Sequence, residues 1–156
     1  MADRGGPFEP GSSEALEIHR AQLRRLLEKD MEAWAGAFAE DAVFELPFAP
    51  ADYPQCLNGR AAIYEYVKDY PNHIDLRDFP EVVEHETLDP AVVVVEAQAD
   101  GRVVATGKPY RMRYVWIITT GNGEIVRQRD YWNPLVGLEA LGGEQGLRDA
   151  FDTERG

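Results

Sequence analysis

The residues with the clearest chemical content lie near the C-terminal end, in the run Arg129-Asp130-Tyr131-Trp132-Asn133-Pro134-Leu135. The run continues an extended segment that begins at Gly123-Glu124-Ile125-Val126-Arg127-Gln128. Side chains alternate along a strand, so Val126, Gln128, Asp130 and Trp132 share one face, and Ile125, Arg127, Arg129 and Tyr131 share the other. The first face sets a carboxylate between an amide and an indole. A carboxylate on the apolar side of a sheet is costly unless it is paired or used. Asp130 is therefore either a general acid/base whose pKa is raised by burial, or the acid of a salt bridge with Arg111, Arg113 or Arg127. Gln128 either orients a ligand or satisfies Asp130. Trp132 either stacks on a ligand and keeps water from the carboxylate, or packs in the core.

Tyr110, Met112, Tyr114 and Trp116 alternate along the preceding strand-like run. A tight turn at Gly121-Asn122-Gly123 brings Tyr114 opposite or nearly opposite Asp130, and a one-residue slip brings Arg113 or Val115 there instead. This aromatic row is either a wall for a flat, unsaturated ligand or ordinary sheet core. Arg111 and Arg113 fall on the other face, as a solvated or interface surface. Tyr66 lies on the apolar stripe of a helix with Ala62, Ile63, Val67 and Tyr70. It is either a hydroxyl donor that polarises a carbonyl or a core tyrosine. Phe44, Leu46 and Phe48 share one face of an earlier strand, with Glu45 turned away. His19, His73 and His85 fall on three separate segments without metal-ligand spacing. His73 follows Pro71 near the expected pocket mouth, as a candidate second acid/base. Cys56 has no activating pattern around it.

Positioning these groups requires a full domain, and 156 residues suffice for one with a sizeable core. The formal charge of −12 argues against nucleic acid and against anionic membranes, though local arginines would still admit a small anion. One cysteine allows no internal disulfide and no cysteine metal cluster, which points to a reducing cytoplasm. Met1 to Pro7 lacks the apolar core of a signal peptide, and no apolar run reaches membrane-spanning length. No metal and no cofactor is expected.

The elements follow from periodicity. Residues 1–13 are rich in Gly, Pro and Ser and read as a disordered tail. Leu16, Leu23, Leu26 and Leu27 mark a helix from Glu14, with Arg20, Arg24 and Arg25 on its wet flank. Asp30 caps a second helix running through Phe38, with Trp34 and Phe38 as its buried pair. A strand over 41–48, a loop over 49–58 and a helix from Ala61 to Tyr70, stopped by Pro71, come next. Strands are predicted over 76–86, 91–99, 103–107, 110–120 and 123–133, with a hairpin turn at Asp100-Gly101. A helical turn over 135–141 and a loose tail over 142–156 complete the chain. Helices first and a strand meander after imply an α+β fold, helices covering one face of a mixed or antiparallel sheet.

Three separated stretches carry a resemblance: DMEAWAGAFAEDAVFELP from Asp30 to Pro47, Asn58-Gly59-Arg60-Ala61-Ala62-Ile63, and Gly123-Glu124-Ile125 with Arg129 to Pro134. In this order they resemble the nuclear transport factor 2-like superfamily, and within it SnoaL-like and phenazine-biosynthesis A/B-like proteins. The resemblance covers residues 14–141. It implies a cone-shaped α+β barrel, a mostly antiparallel curved sheet closed by N-terminal helices, a ligand cavity between the layers, and a homodimer. Ketosteroid isomerases of this fold place their base at the position of Leu46 and their oxyanion tyrosine near Gln22, so both groups are missing here. The paired groups of limonene-epoxide-hydrolase-like members are not matched by Arg111-Met112-Arg113. The Arg-Glu-x-x-Asn of phenazine A/B-like proteins reads Arg129-Asp130-Tyr131-Trp132-Asn133, and their helix histidine falls at Tyr66. SnoaL-like cyclases use a late-strand aspartate as acid/base, which suits Asp130.

These readings converge on a cytoplasmic, cofactor-free enzyme that acts on a small-molecule substrate. It would isomerise, cyclise or condense a polyketide- or phenazine-like intermediate. Asp130, Tyr66 and Tyr114 are the catalytic candidates. Phe44, Leu46, Tyr70, Met112, Trp116, Gln128 and Trp132 are the ligand-binding candidates. The alternatives are a non-catalytic carrier using the same cavity, which would tolerate Asp130→Asn, and an epoxide hydrolase, which needs a second carboxylate near Asp130.

Overall fold

The computed structural model describes residues 13–51, 53–143 and 145. The expected N-terminal tail, Ser13 apart, and nearly all of the expected tail from residue 142 on lie outside them.

Helix α1, Glu14–Leu27, starts where the Ser13 hydroxyl accepts from the Leu16 N–H at 3.2 Å. Glu14 and Glu17 in its first turn and Arg24 and Arg25 in its last oppose the helix dipole. Its buried face is Ala15, Leu16, His19 and Gln22, so two polar side chains lie where the leucine count suggested an apolar stripe. Asp30 caps α2, Met31–Gly36, by accepting from the Ala33 N–H at 3.0 Å. The chain leaves the helix before Phe38, which opens strand β1, Phe38–Glu45. The Trp34–Phe38 pair still forms, with ring centroids 5.0 Å apart, but across the helix–strand junction.

The predicted loop before residue 59 contains a short strand, β2, Cys56–Asn58, that pairs antiparallel with β1. Helix α3, Arg60–Val67, buries Ile63, Tyr66 and Val67. Pro71 does not follow one long helix; it sits in the first turn of a separate one, α4, Tyr70–His73, where its missing N–H costs nothing. Strands β3, Ile74–Glu86, β4, Val92–Val103, β5, Pro109–Gly121, and β6, Glu124–Trp132, form the meander. Helix α5, Pro134–Ala140, follows at once, capped by Asn133.

The Asp100-Gly101 pair is not a turn. It lies inside β4, where Gly101 faces Leu76 and a Cβ would come 2.2 Å from the Asp75 carbonyl oxygen. The chain reverses between Val103 and Lys108 instead, with Gly107 at φ +71. The β5–β6 hairpin is the expected one. Asn122 and Gly123 both take positive φ, as a two-residue primed turn requires.

Six strands form one sheet in the order β2-β1-β6-β5-β4-β3. Only β1 and β6 pair in parallel, so the sheet is mixed and mostly antiparallel. The sheet does not close on itself, since β2 and β3 remain its two edges. Helices α1 to α4 cover one face, and the main core lies between. The α+β architecture expected from the sequence is therefore present, a mixed and mostly antiparallel sheet covered by the N-terminal helices, with the sheet's own edges left open.

Candidate functional site

Between the helices and the sheet lies a cavity of about 110 Å³. Strand alternation brings Gln128, Asp130 and Trp132 of β6 and Tyr110, Met112, Tyr114, Trp116 and Ile118 of β5 to its wall. Phe44 enters from β1, Tyr66 from α3 and Tyr70 from α4. His19, Gln22, Leu23 and Leu26 of α1 and Trp34 of α2 form the roof. Every catalytic and ligand-binding candidate thus meets in one place except Leu46. That side chain is fully buried, just past the end of β1, and packs in the core outside the cavity wall.

The expected face of β6 is correct at Gln128, Asp130 and Trp132 and wrong at Val126. Thr119 pairs with Arg127 and Thr120 with Ile125, so Val126 is an extra residue in a β-bulge. The bulge reverses the alternation. Ile125 is buried and Val126 is exposed. It also sets the register, so that Trp116, not Tyr114, stands opposite Asp130, and Tyr114 pairs with Trp132. Phe48 leaves its expected face as well. It is 59% exposed and its ring meets Tyr131 on the outer side of the sheet at 5.1 Å.

The Trp116 indole N–H donates to Asp130 Oδ1 at 3.0 Å. Among the described residues, Asp130 forms no salt bridge. Each arginine considered for that role is engaged elsewhere: Arg111 with Asp100 at 3.3 Å, Arg113 with Glu81 at 2.9 Å and Arg127 with Glu45 at 2.7 Å. All three lie on the far side of the sheet, as β alternation requires. Burial raises the Asp130 pKa from 3.8 to about 7, outweighing the Trp116 hydrogen bond, which pulls the other way. The residue keeps some solvent-accessible surface. Protein atoms nevertheless crowd the carboxyl, and that crowding governs its solvation.

Phenols surround this carboxyl. The Tyr110 and Tyr114 hydroxyls share a hydrogen bond of 3.0 Å, and Tyr70 joins both. Tyr66 stands beside Tyr53. Burial, chiefly, lifts Tyr66, Tyr70 and Tyr114 well above the ordinary phenol range, and Tyr110 to about 12. Proximity of the Asp130 charge adds to each rise. At neutral pH all four are therefore neutral donors, while Asp130 is poised to gain or lose a proton. Trp116 stacks on Tyr114 at a centroid distance of 5.2 Å and completes the aromatic wall.

His19 is the main residue that sequence reasoning left out of the site. It is 1% exposed, lines the cavity and tilts over Trp116 at 5.9 Å. Burial lowers its pKa to about 4, against the pull of Glu84, whose carboxylate lies 3.7 Å from Nε2. Its position on the buried face with Ala15, Leu16 and Gln22 was the available signal. His73, the histidine expected at the pocket mouth, is not in the wall. Gln22 occupies the roof and donates to the Trp34 carbonyl at 2.8 Å. Asn133 caps α5 by accepting from the Leu135 N–H at 3.0 Å, a structural task. Among the described residues, no three His, Cys, Asp or Glu side chains group to hold a metal ion. The free Cys56 is exposed.

The chemical capacity of this arrangement is a single titratable carboxyl facing neutral hydroxyl donors in an apolar, aromatic enclosure. Residues 19–128 match the SnoaL-like domain family model. The Bacillus subtilis protein YesE is 48% identical over 129 residues, covering 83% of this chain and 88% of that protein. A PhzA/B-like protein of Pseudomonas aeruginosa is 36% identical over 129 residues, covering 83% of this chain and 91% of its own. The crystal structure of a proposed isomerase from Bacillus subtilis superimposes with a TM-score of 0.80 at 47% identity, covering 84% of this chain and 94% of that one.

Proposed function

This chain belongs to the SnoaL-like domain family, and from that premise we propose that it is a small-molecule enzyme of the isomerase or cyclase kind with Asp130 as its acid/base. One observation carries the reading. A carboxyl without a cationic partner among the described residues sits in an aromatic cavity, with a pKa raised to about 7. A group poised near the working pH transfers protons best in both directions.

In this reading the Asp130 carboxylate removes a proton from a carbon next to a carbonyl, and the same group returns it at a second position. The pair of electrons left on the substrate moves toward the carbonyl oxygen. Tyr114 and Tyr66 position that oxygen and donate hydrogen bonds as charge develops. The Trp116 N–H occupies one carboxyl oxygen and leaves the other to the substrate. Phe44, Tyr70, Met112 and Trp132 bound the reacting ring, and Gln128 orients it. We further propose that the working form is a homodimer joined through the outer sheet face around Phe48 and Tyr131.

The test is proton exchange. Cyclic enones and ketones in deuterated buffer, followed by NMR, report removal of the hydrogen beside the carbonyl even while the natural substrate is unidentified. Wild type should accelerate exchange, and Asp130→Asn should lose it by about 10²- to 10⁴-fold. Retention of exchange by Asp130→Asn removes Asp130 from the chemistry. Binding without exchange by either protein favours the carrier reading. The epoxide hydrolase reading lacks its second carboxylate, because Asp130 is the one Asp or Glu among the described residues of the wall.

A further inference from the structure

Among the described residues, twenty-three bound the cavity, and none is Lys or Arg. His19 adds no charge at neutral pH, because burial keeps its ring in the neutral form there. Two guanidiniums lie behind the α1 wall residues and are engaged there: Arg25 donates to the Gln22 amide oxygen at 2.8 Å and Arg20 pairs with Glu84 at 2.8 Å. A carboxylate-bearing ligand would therefore enter an apolar site without a counter-ion and beside Asp130. An uncompensated buried charge is strongly disfavoured. Arg111, Arg113 and Arg127 lie on the outer face of the sheet, away from the cavity.

The volume points to a small ligand: at about 110 Å³ it is of the same order as the roughly 150 Å³ apolar cavity that takes one benzene ring.

The wall also carries a polar side chain that is free to bind a ligand. Gln128 is 5% exposed, and its amide takes part in no hydrogen bond among the described residues. It lies two residues before Asp130 on the same face, between Phe44 of β1 and Ile118 of β5. Its amide atoms stay accessible from the cavity, since among the described residues His19 Nε2 is the fully buried side-chain polar atom without a hydrogen-bond partner, and a ligand that displaces water from them costs free energy unless it supplies a hydrogen bond. Its position makes it the natural partner for a polar atom on a ring whose reacting edge meets Asp130.

We propose that the cavity takes an uncharged, single-ring ligand, and that the Gln128 amide holds a carbonyl or hydroxyl group of that ligand distinct from the oxygen that Tyr66 and Tyr114 polarise. The proposal rests on the cavity being the substrate site, and it narrows the substrate class to neutral monocyclic oxo or hydroxy compounds.

Occupancy is measurable without turnover. The chain has three tryptophans, Trp34, Trp116 and Trp132, and all line the cavity. Their indole N–H signals in an ¹H–¹⁵N spectrum report binding directly. Benzamide and benzoate have nearly the same shape and differ in charge. Benzamide and cyclohex-2-enone should shift the indole signals saturably at millimolar concentration, and benzoate should bind at least about 10-fold more weakly than benzamide. Phenazine, with three fused rings, should leave the signals in place. Gln128→Leu should weaken benzamide by roughly 3- to 10-fold and leave toluene unaffected.

Benzoate binding as tightly as benzamide, phenazine saturating before the one-ring probes, or no saturable shift with any one-ring probe would each overturn the ligand class. Unchanged benzamide binding in Gln128→Leu would remove the amide from the site. The wild-type comparison of benzamide with benzoate stands even where that variant does not fold. None of these readouts depends on proton transfer. Their failure is therefore distinct from a failure of the Asp130 assignment, which the exchange experiment reads alone.

Discussion

Asp130 and His19 are held in opposite ways by the same apolar cavity, and each leaves a mark on stability. Burial disfavours the charged form of both. The folded-state pKa of Asp130 rises from 3.8 to about 7. The native state thus binds more protons than the unfolded chain between those values, and stability falls as pH rises through that window. The differential cost is about 4 kcal/mol at most. Asp130→Asn should be more stable than wild type at pH 8 and little different at pH 4, by chemical denaturation at each pH. The folded-state pKa of His19 falls from 6.5 to about 4, so its effect has the other sign. Its contribution is complete above 6.5 and is lost as pH falls toward 4. His19→Gln should flatten the acidic limb of the stability profile. A substitution that steepened that limb would show that His19 is charged in the folded protein. Trp116→Phe keeps the aromatic wall and removes the donor to Asp130. The hydrogen bond favours the carboxylate, so its loss should move the pH dependence of proton exchange to higher pH.

At the scale of elements, the site depends on irregularities that local periodicity does not announce. The Val126 bulge sets Gln128 and Asp130 on the cavity side and opposes Asp130 to Trp116. Without the extra residue, the Asn122-Gly123 turn would leave the hairpin one residue out of step at the carboxyl. Gly101 is a second such point. Any side chain there meets the Asp75 carbonyl oxygen at 2.2 Å, so β3 and β4 must separate to admit it. Gly101→Ala should cost about 1–3 kcal/mol. At Gly36, the end of α2, an added methyl group would meet no heavy atom within 4 Å. Gly36→Ala should instead gain up to about 1 kcal/mol by restricting the unfolded chain. Thermal unfolding of the two variants should move Tm in opposite directions, by roughly 2–4 °C per kcal/mol. Equal losses would place the constraint at Gly101 elsewhere than in strand pairing.

For the molecule as a whole, the sheet divides two tasks. Its inner face bounds the cavity. Its outer face carries Phe48, Tyr131, Val115 and Ile117 among the Arg113–Glu81 and Arg127–Glu45 pairs. A surface with apolar groups and both signs of charge suits self-association about a two-fold axis. The proposed dimer should give twice the 17.5 kDa of one chain by light scattering, and Phe48→Glu should shift it toward the monomer. A monomeric mass at all concentrations would overturn the dimer without touching the cavity. Among the described residues, no helix is long and apolar enough to cross a membrane.

The sequence by itself determined most of the elements and their order, though not β2, α4 or the unbroken run of β4 through Gly101, and the face that Gln128, Asp130 and Trp132 share. Period-2 alternation, the Asn-Gly turn and a carboxylate on an apolar face are local signals, and a strand with one buried face obeys them. The Asp30 cap and the stripe of α3 were legible for the same reason. Tertiary structure alone decided the rest. The bulge at Val126 answers to the pairing of three strands, which no single strand encodes. The α1 face that carries His19 and Gln22 is buried because a sheet lies beneath it, and a leucine count cannot show that. Whether Asp130 would meet an arginine was settled by the side of the sheet on which the arginines emerge, so its isolation is a property of the packed layers and not of the chain.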